Sequence, residues 1–181
     1  MRRAEIVITQ IVTTPVGKLE LIGDGTYLWS LKFLDNTPNP SPTAKVFPES
    51  QENNTASYTE VINWLRGFFE GNPPVELPPI RLRGTPFQYK VWEELKRIPW
   101  GQVVTYGELA SRIGAPRAYR AVGAACGANP IPLIIPCHRV VAKNGLGGFG
   151  PGLKLKKWLL ERETEGRKRE TGDRKQQEKI P

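Results

Sequence analysis

Residues 73–79 hold four prolines in seven positions, and no other stretch restricts the fold so much. Proline fixes φ and has no amide hydrogen, so neither a helix nor a central strand runs through such a segment. Elements must be built separately on its two sides. This predicts a first module over 1–78 and a second over 79–165, in a chain of 181 residues that has enough length to bury a core.

In the first module, Ile6 to Val12 and Leu19 to Ile22 are β-rich apolar runs separated by the turn signal Pro15-Val16-Gly17-Lys18. Gly23-Asp24-Gly25 marks another tight turn, and Tyr27 to Leu34 a third strand. Asn36 to Pro48 is rich in Pro, Asn and Ser and reads as a surface loop. Over 56–70, Val61, Leu65 and Phe68 recur at helical spacing before the stop signal at Gly71. A small antiparallel sheet plus one helix follows, with no concentrated chemistry.

The second module is mainly helical. Thr85-Pro86-Phe87-Gln88 is a capping box with proline at the first helical position, opening a helix through Val91, Trp92 and Leu95. Pro99 ends it, and Val103 to Thr105 is extended. Tyr106 to Ala128 reads as helix, turn, helix, with the turn at Gly114-Ala115-Pro116. The second of these helices carries Ala118, Ala121, Gly123, Ala124, Ala125, Gly127 and Ala128 around Arg117, Tyr119 and Arg120. Such small residues admit close approach by another helix or by a nucleic-acid groove. The fold class is α+β, and the second module is winged-helix-like.

The densest chemistry lies between Ile134 and Val141, where Pro136, Cys137, His138 and Arg139 interrupt an apolar run. His138 is the only histidine and Cys137 one of two cysteines. A free cysteine is commonly a small buried apolar residue, but a plain core strand would avoid proline, histidine and arginine at its side. A nucleophilic thiol is the better reading. On an extended backbone adjacent side chains diverge, so Cys137 and His138 meet only across a turn or through water.

Gly145 to Gly150 matches the dinucleotide pattern GxGxxG, yet Pro151 and Gly152 intervene before the next helix, and no further strand with an acidic end follows. A flexible lid is the preferred interpretation. In the last helix, Leu153 to Glu163, Leu155 and Leu159 share a face that Glu163 continues and Glu161 does not. A carboxylate on an apolar row needs a partner, most simply a histidine or arginine of the core. His138 is the available histidine, unless Glu163 frays into solvent at the helix end.

Net charge is +8, and 166–181 contributes six basic and three acidic side chains without apolar periodicity, so a disordered tail is expected there. A basic body suits a polyanion such as nucleic acid. With no apolar run near 18 residues and no secretory signal, the expectation is a cytoplasmic protein, nuclear if eukaryotic, with reduced cysteines and no membrane association.

Over Thr85 to Glu163 the sequence resembles the O6-alkylguanine-DNA alkyltransferases, in TPFQYKVW, GQVVTYGELA, RAVG, NPIPLIIPCHRVV and KKWLLERE. The resemblance implies a single-use repair enzyme that acts as a monomer without cofactor, and the lack of the zinc-binding histidines and cysteines of some relatives leads to the expectation of no metal. Its partner would be double-stranded DNA, bound through the minor groove and carrying O6-alkylguanine; whether O4-alkylthymine is also accepted is left open by the sequence. Cys137 would accept the alkyl group, His138 would act as base through a water, Glu163 would orient it, and Asn129 would brace the turn. Tyr106 would donate a hydrogen bond to the departing base. The carbonyls of Cys137 and Val140 and the amide of Gly150 would hold guanine beneath a lid carrying Phe149. Arg120 would fill the space of the flipped nucleotide, with Arg117, Tyr119, Ala121, Ala125 and Thr105 also meeting DNA.

Three features depart from the family pattern: Phe149 stands where many members have tyrosine in a lid shorter than some, Gly150-Pro151 replaces a small-residue-plus-glycine pair, and the zinc ligands of some relatives are absent. Cys126 is read as packing. Alternatives from other classes are a recognition-only alkyltransferase-like protein, whose relatives lack the acceptor cysteine, and a cysteine hydrolase using Cys137, His138 and Glu163.

Overall fold

A computed structural model describes residues 6–34, 40, 47–48, 58–72 and 74–177, with the side chains of 47–48 and 166–177 left aside. Four strands form an antiparallel sheet: β1 (Ile8–Thr14), β2 (Gly17–Gly23), β3 (Leu28–Phe33) and β4 (Phe47–Pro48), in the order β3-β2-β1-β4. Thr14 pairs with Gly17, so Pro15 and Val16 alone close the first hairpin. Gly17 has a φ of +95°, in the region that glycine enters without penalty. Leu19 and Leu21 of β2 face the core with Val12 of β1 and Leu28 and Leu31 of β3. Phe47 and Pro48, expected to end a surface loop, pair with Thr13 and Val12 of β1. The rest of that loop, apart from residue 40, lies outside the described residues.

Helix α1 (Thr59–Glu70) buries Val61, Trp64, Leu65 and Phe68. It ends at Gly71 in the left-handed region, where the Asn72 amide returns to the Gly67 carbonyl at 2.8 Å. The proline-rich segment does not separate two cores. Beyond it the chain runs beside β3: Leu28 N–H donates to Pro79 at 3.0 Å and Arg81 N–H to Leu28 at 2.8 Å. Leu31 N–H reaches further, to the Pro130 carbonyl at 2.9 Å. The buried residues of both modules form one cluster.

Helix α2 (Pro86–Lys96) has the expected reciprocal cap, with Gln88 N–H donating to Thr85 Oγ1 at 3.2 Å and Thr85 N–H to Gln88 Oε1 at 2.8 Å. Its buried face carries Val91, Trp92 and Leu95, each worth roughly 1.5–3 kcal/mol of transfer free energy. Strand β5 (Val104–Thr105) leads into α3 (Tyr106–Arg112), and α4 (Tyr119–Gly127) follows. Arg117 sits in the turn before α4, which begins only at Tyr119. Strand β6 (Val140–Val141) pairs in parallel with β5. Helix α5 (Leu153–Gln177) runs well past Glu163. Where a disordered tail is expected from 166, helix continues to Gln177; Lys, Arg, Glu and Gln, all strong helix formers, dominate that stretch. Among the described residues no helix is long and apolar enough to cross a membrane.

Candidate active site

The site is built on a tight loop that follows α4. Asn129 occupies its base, Oδ1 accepting from Ile131 N–H at 3.0 Å and Nδ2 donating to the Ile135 carbonyl at 2.7 Å. Within the loop Ile135 N–H also returns to Ile131 at 3.0 Å, and Leu133 takes a φ of +75°, unfavourable for a branched side chain. Four buried apolar side chains, Ile131, Leu133, Ile134 and Ile135, hold that conformation. The amide of Cys137 then donates to Ile135 at 2.8 Å and that of Arg139 to Pro136 at 3.0 Å, coiling Cys137 to Arg139 into one 3₁₀ turn.

Three residues per turn send consecutive side chains to different sides. Cys137 faces a cavity of about 200 Å³, whose wall includes Tyr106, Cys126, Asn129, Pro132, Phe149 and Gly150. His138 faces away into the core, where Nε2 meets Glu163 Oε1 at 2.8 Å. Its Nδ1 is buried and has no hydrogen-bond partner among the described residues. The chain does turn at Pro136, yet the thiol and imidazole make no direct hydrogen bond.

Glu163 is 1% exposed. Besides the imidazole it accepts from Arg139 Nε at 2.9 Å, from Arg139 Nη2 at 3.0 Å and from the Gly101 amide at 3.0 Å. Glu161, by contrast, is exposed and pairs with Lys157 at 3.7 Å. Burial would push the Glu163 carboxyl up, but His138 and Arg139 outweigh it and bring the pKa down to about 2. Burial likewise drives His138 below its ordinary value, despite the opposing carboxylate. With the imidazole neutral, the permanent charge of Arg139 is what keeps Glu163 ionised.

Burial raises the Cys137 pKa, opposed by a side-chain hydrogen bond with Asn129 and by the charge of Lys156. The resting thiol is therefore protonated at neutral pH and would need a base to act as a nucleophile. Cys126 is pushed up to about 12, again by burial, which fits a packing residue. Burial also raises Tyr106, whose hydroxyl donates to the Gly148 carbonyl at 3.4 Å.

Arg139 and Lys156 are absent from the sequence-derived site. Lys156 is fully buried and donates to Val140 at 2.6 Å and to Gly148 at 3.0 Å, joining strand β6 to the lid. A signal for it exists: Lys156 precedes Leu159 by three and Glu163 by seven residues, on the same helical stripe. For Arg139, the fixed fork of its guanidinium and its place beside His138 were the available clues.

On α4 and the preceding turn, Arg117, Tyr119, Arg120 and Ala121 are exposed, and the Arg120 guanidinium lies 5.8 Å from the Tyr119 ring centroid. Ala125 is not on that surface. It is 2% exposed, and its carbonyl accepts from Trp92 Nε1 at 2.9 Å, because α2 packs against that side. Thr105 is half-buried and uses its hydroxyl to cap α3, accepting from the Glu108 amide at 3.1 Å. Val140 is buried and its carbonyl already receives Lys156. Among the described residues no group of three or more His, Cys, Asp or Glu side chains is placed to hold a metal ion.

The family model described as "6-O-methylguanine DNA methyltransferase, DNA binding domain" matches residues 86–165. A methylated-DNA–protein-cysteine methyltransferase of Mycobacterium tuberculosis (strain H37Rv) is 41% identical over 153 residues, covering 84% of this chain and 89% of its own length. One from Saccharolobus islandicus (strain M.16.27) is 48% identical over 115 residues, covering 64% and 75%. The crystal structure of Mycobacterium tuberculosis OGT in complex with DNA superposes with a TM-score of 0.73 at 38% identity, covering 86% of this chain and 92% of that one. An O6-methylguanine DNA methyltransferase from Methanococcus jannaschii gives 0.59 at 30% identity, covering 85% and 92%. With such identity sustained over most of its length, the chain belongs to the methylated-DNA–protein-cysteine methyltransferase family.

Proposed function

We propose that this protein repairs DNA by moving the alkyl group of O6-alkylguanine onto its own Cys137, irreversibly and once per molecule, after the nucleotide flips into the cavity. The observation that carries this reading is the placement of the Cys137 thiol on the cavity wall with Asn129 and Tyr106, back to back with a buried His138–Glu163 pair. Cys137 sulfur attacks the carbon bonded to O6; the S–C bond forms as the C–O bond breaks, and the guanine keeps the electron pair. The thiol proton passes through a water to His138 Nδ1, the nitrogen that Glu163 leaves free. Tyr106 donates to the base as negative charge develops on it. The Cys137 carbonyl, the Gly150 amide and the second lone pair of the Val140 carbonyl, whose first receives Lys156, hold the guanine edge, with Phe149 covering it.

The relative solved with DNA supports the same partner for this chain. Arg120 takes the place of the flipped nucleotide, and Arg117, Tyr119 and Ala121 meet the minor groove from the exposed side of α4 and its turn. Ala125, packed inside, makes no such contact.

The deciding experiment is intact mass and peptide mapping after incubation with duplex DNA carrying O6-methylguanine. A gain of about 14 Da on Cys137, the mass of one CH₂, is expected for transfer to the protein itself. No gain with the lesion still bound indicates recognition without repair, and continued turnover indicates a hydrolase. Cys137→Ala should abolish transfer while DNA binding persists. Arg120→Ala should slow repair in duplex DNA more than reaction with the free alkylated base.

A further inference from the structure

The first module, which carries no reactive side chain of the proposed mechanism, nevertheless brings one ring to the site. Phe68 of α1 is 1% exposed and meets the His138 imidazole edge-on, with centroids 6.2 Å apart and planes at 89°. Phe149 of the lid meets the same imidazole at 6.3 Å and 68°. Phe68 is itself held firmly, stacked on Trp64 at 5.3 Å and edge-on to Trp100 at 5.1 Å. Trp100 in turn lies under the Arg139 guanidinium, 5.5 Å from its centroid. One aromatic wall thus backs both side chains that grip Glu163.

A histidine ring turns about a broad, shallow χ2 torsion. The hydrogen bond from Nε2 to Glu163 fixes one atom of the ring and leaves tilt about that bond unrestrained. A packed aromatic edge removes the tilt. The charged groups that act on the imidazole are Glu163 and Lys156 from α5 and Arg139 from its own turn, whereas α1 presents the apolar Phe68 ring.

We propose that Phe68 is a positioning residue for His138, through which the first module sets the plane of the imidazole and keeps Nδ1 available to the proton of Cys137. This rests on the reading of His138 as the base. It assigns the first module a part in the chemistry beyond filling a shared core.

The chain has a single histidine, so histidine-selective ¹⁵N labelling gives one imidazole spin system that needs no assignment. In the wild type it should report one neutral tautomer, protonated at Nε2, at pH 7. Phe68→Leu keeps an apolar side chain but removes the ring edge. It should show mixed tautomers, or a titration moved up toward the ordinary value of about 6.5, and roughly tenfold slower alkyl transfer with unchanged affinity for DNA. Phe68→Tyr, which restores the ring, should restore both readouts, and Phe68→Met serves in the same way should the leucine variant not fold. Leu21→Ala, which opens the core beneath β2, should lower stability and leave the imidazole signal and the rate alone. An unchanged tautomer and rate in Phe68→Leu would overturn the proposal, as would the same changes in Leu21→Ala. Absence of any alkyl transfer by the wild type would instead remove the functional reading, with the imidazole signal still deciding whether Phe68 positions the ring.

Discussion

Arg139 holds both carboxylate oxygens of Glu163, Nε at 2.9 Å from one and Nη2 at 3.0 Å from the other. His138 and Arg139, whose side chains both hydrogen-bond to Glu163, are neighbours in one 3₁₀ turn. Glu163, which meets the imidazole, is therefore itself clamped by the turn that carries Cys137.

Arg139→Met should cost about 3–5 kcal/mol, because it leaves the Glu163 carboxylate buried without a permanent countercharge. Urea denaturation measures this directly. Arg139→Lys should recover only part of it, since a point charge cannot make the forked contact. A loss no larger than that of an exposed ion pair would show that the clamp is not needed.

Asn129→Ala removes the donor to the Ile135 carbonyl and the acceptor for the Ile131 amide. The Ile131 amide then loses its partner, at about 1–3 kcal/mol if water does not replace the side chain, while the Ile135 carbonyl keeps the Cys137 amide. The transfer rate should fall further than stability alone explains, because Cys137 also loses a hydrogen bond that favours its thiolate. Rate constants measured well below the melting temperature separate the two effects.

Acid should weaken the fold in two stages. Folded His138 stays neutral below its ordinary pKa, while the unfolded chain takes up a proton near pH 6.5, so stability begins to fall as pH drops through that value. Glu163 has a folded pKa of about 2 against 4.5 for the free group, so its contribution is whole above pH 4.5 and disappears as pH falls toward 2. Urea midpoints measured across this range should show both losses, and His138→Gln should abolish the earlier one.

Lys156→Met should cost about 1–3 kcal/mol, since the buried Val140 carbonyl loses its donor, offset in part by removal of a buried charge. It should also free the lid, which loses its tie from Gly148 to Val140. Trypsin cleavage after the exposed Lys143 should then become faster, and alkyl transfer about tenfold slower through poorer positioning. Unaltered cleavage would show that the lid is held by other contacts.

Local chemistry in the chain announced much of this arrangement. The cap at Thr85 and Gln88, the hairpin closed at Pro15 and the placement of Glu163 on the apolar row of α5 each follow from spacing within a few residues. What escaped depends on contacts between distant segments. Phe68 reads as one more core position of an amphipathic helix, and only the docking of α1 against the 3₁₀ turn brings it to His138. Ala125 shares its composition with the exposed Ala121, and which of the two faces inward is decided by Trp92 of α2. The extension of α5 to Gln177 was hidden because charged residues without apolar periodicity suit an exposed helix as well as an irregular tail.

The depth at which Cys137 sits has a consequence for how long the protein stays usable. Oxidation and thiol exchange proceed through the thiolate, and burial keeps that form scarce at rest. The cavity that Cys137 faces, of about 200 Å³, is smaller than the sites that enclose drug-sized molecules. On the proposed transfer, an acceptor that takes only one group is thus kept in reserve, its thiolate scarce until a base enters with the carbon it would receive.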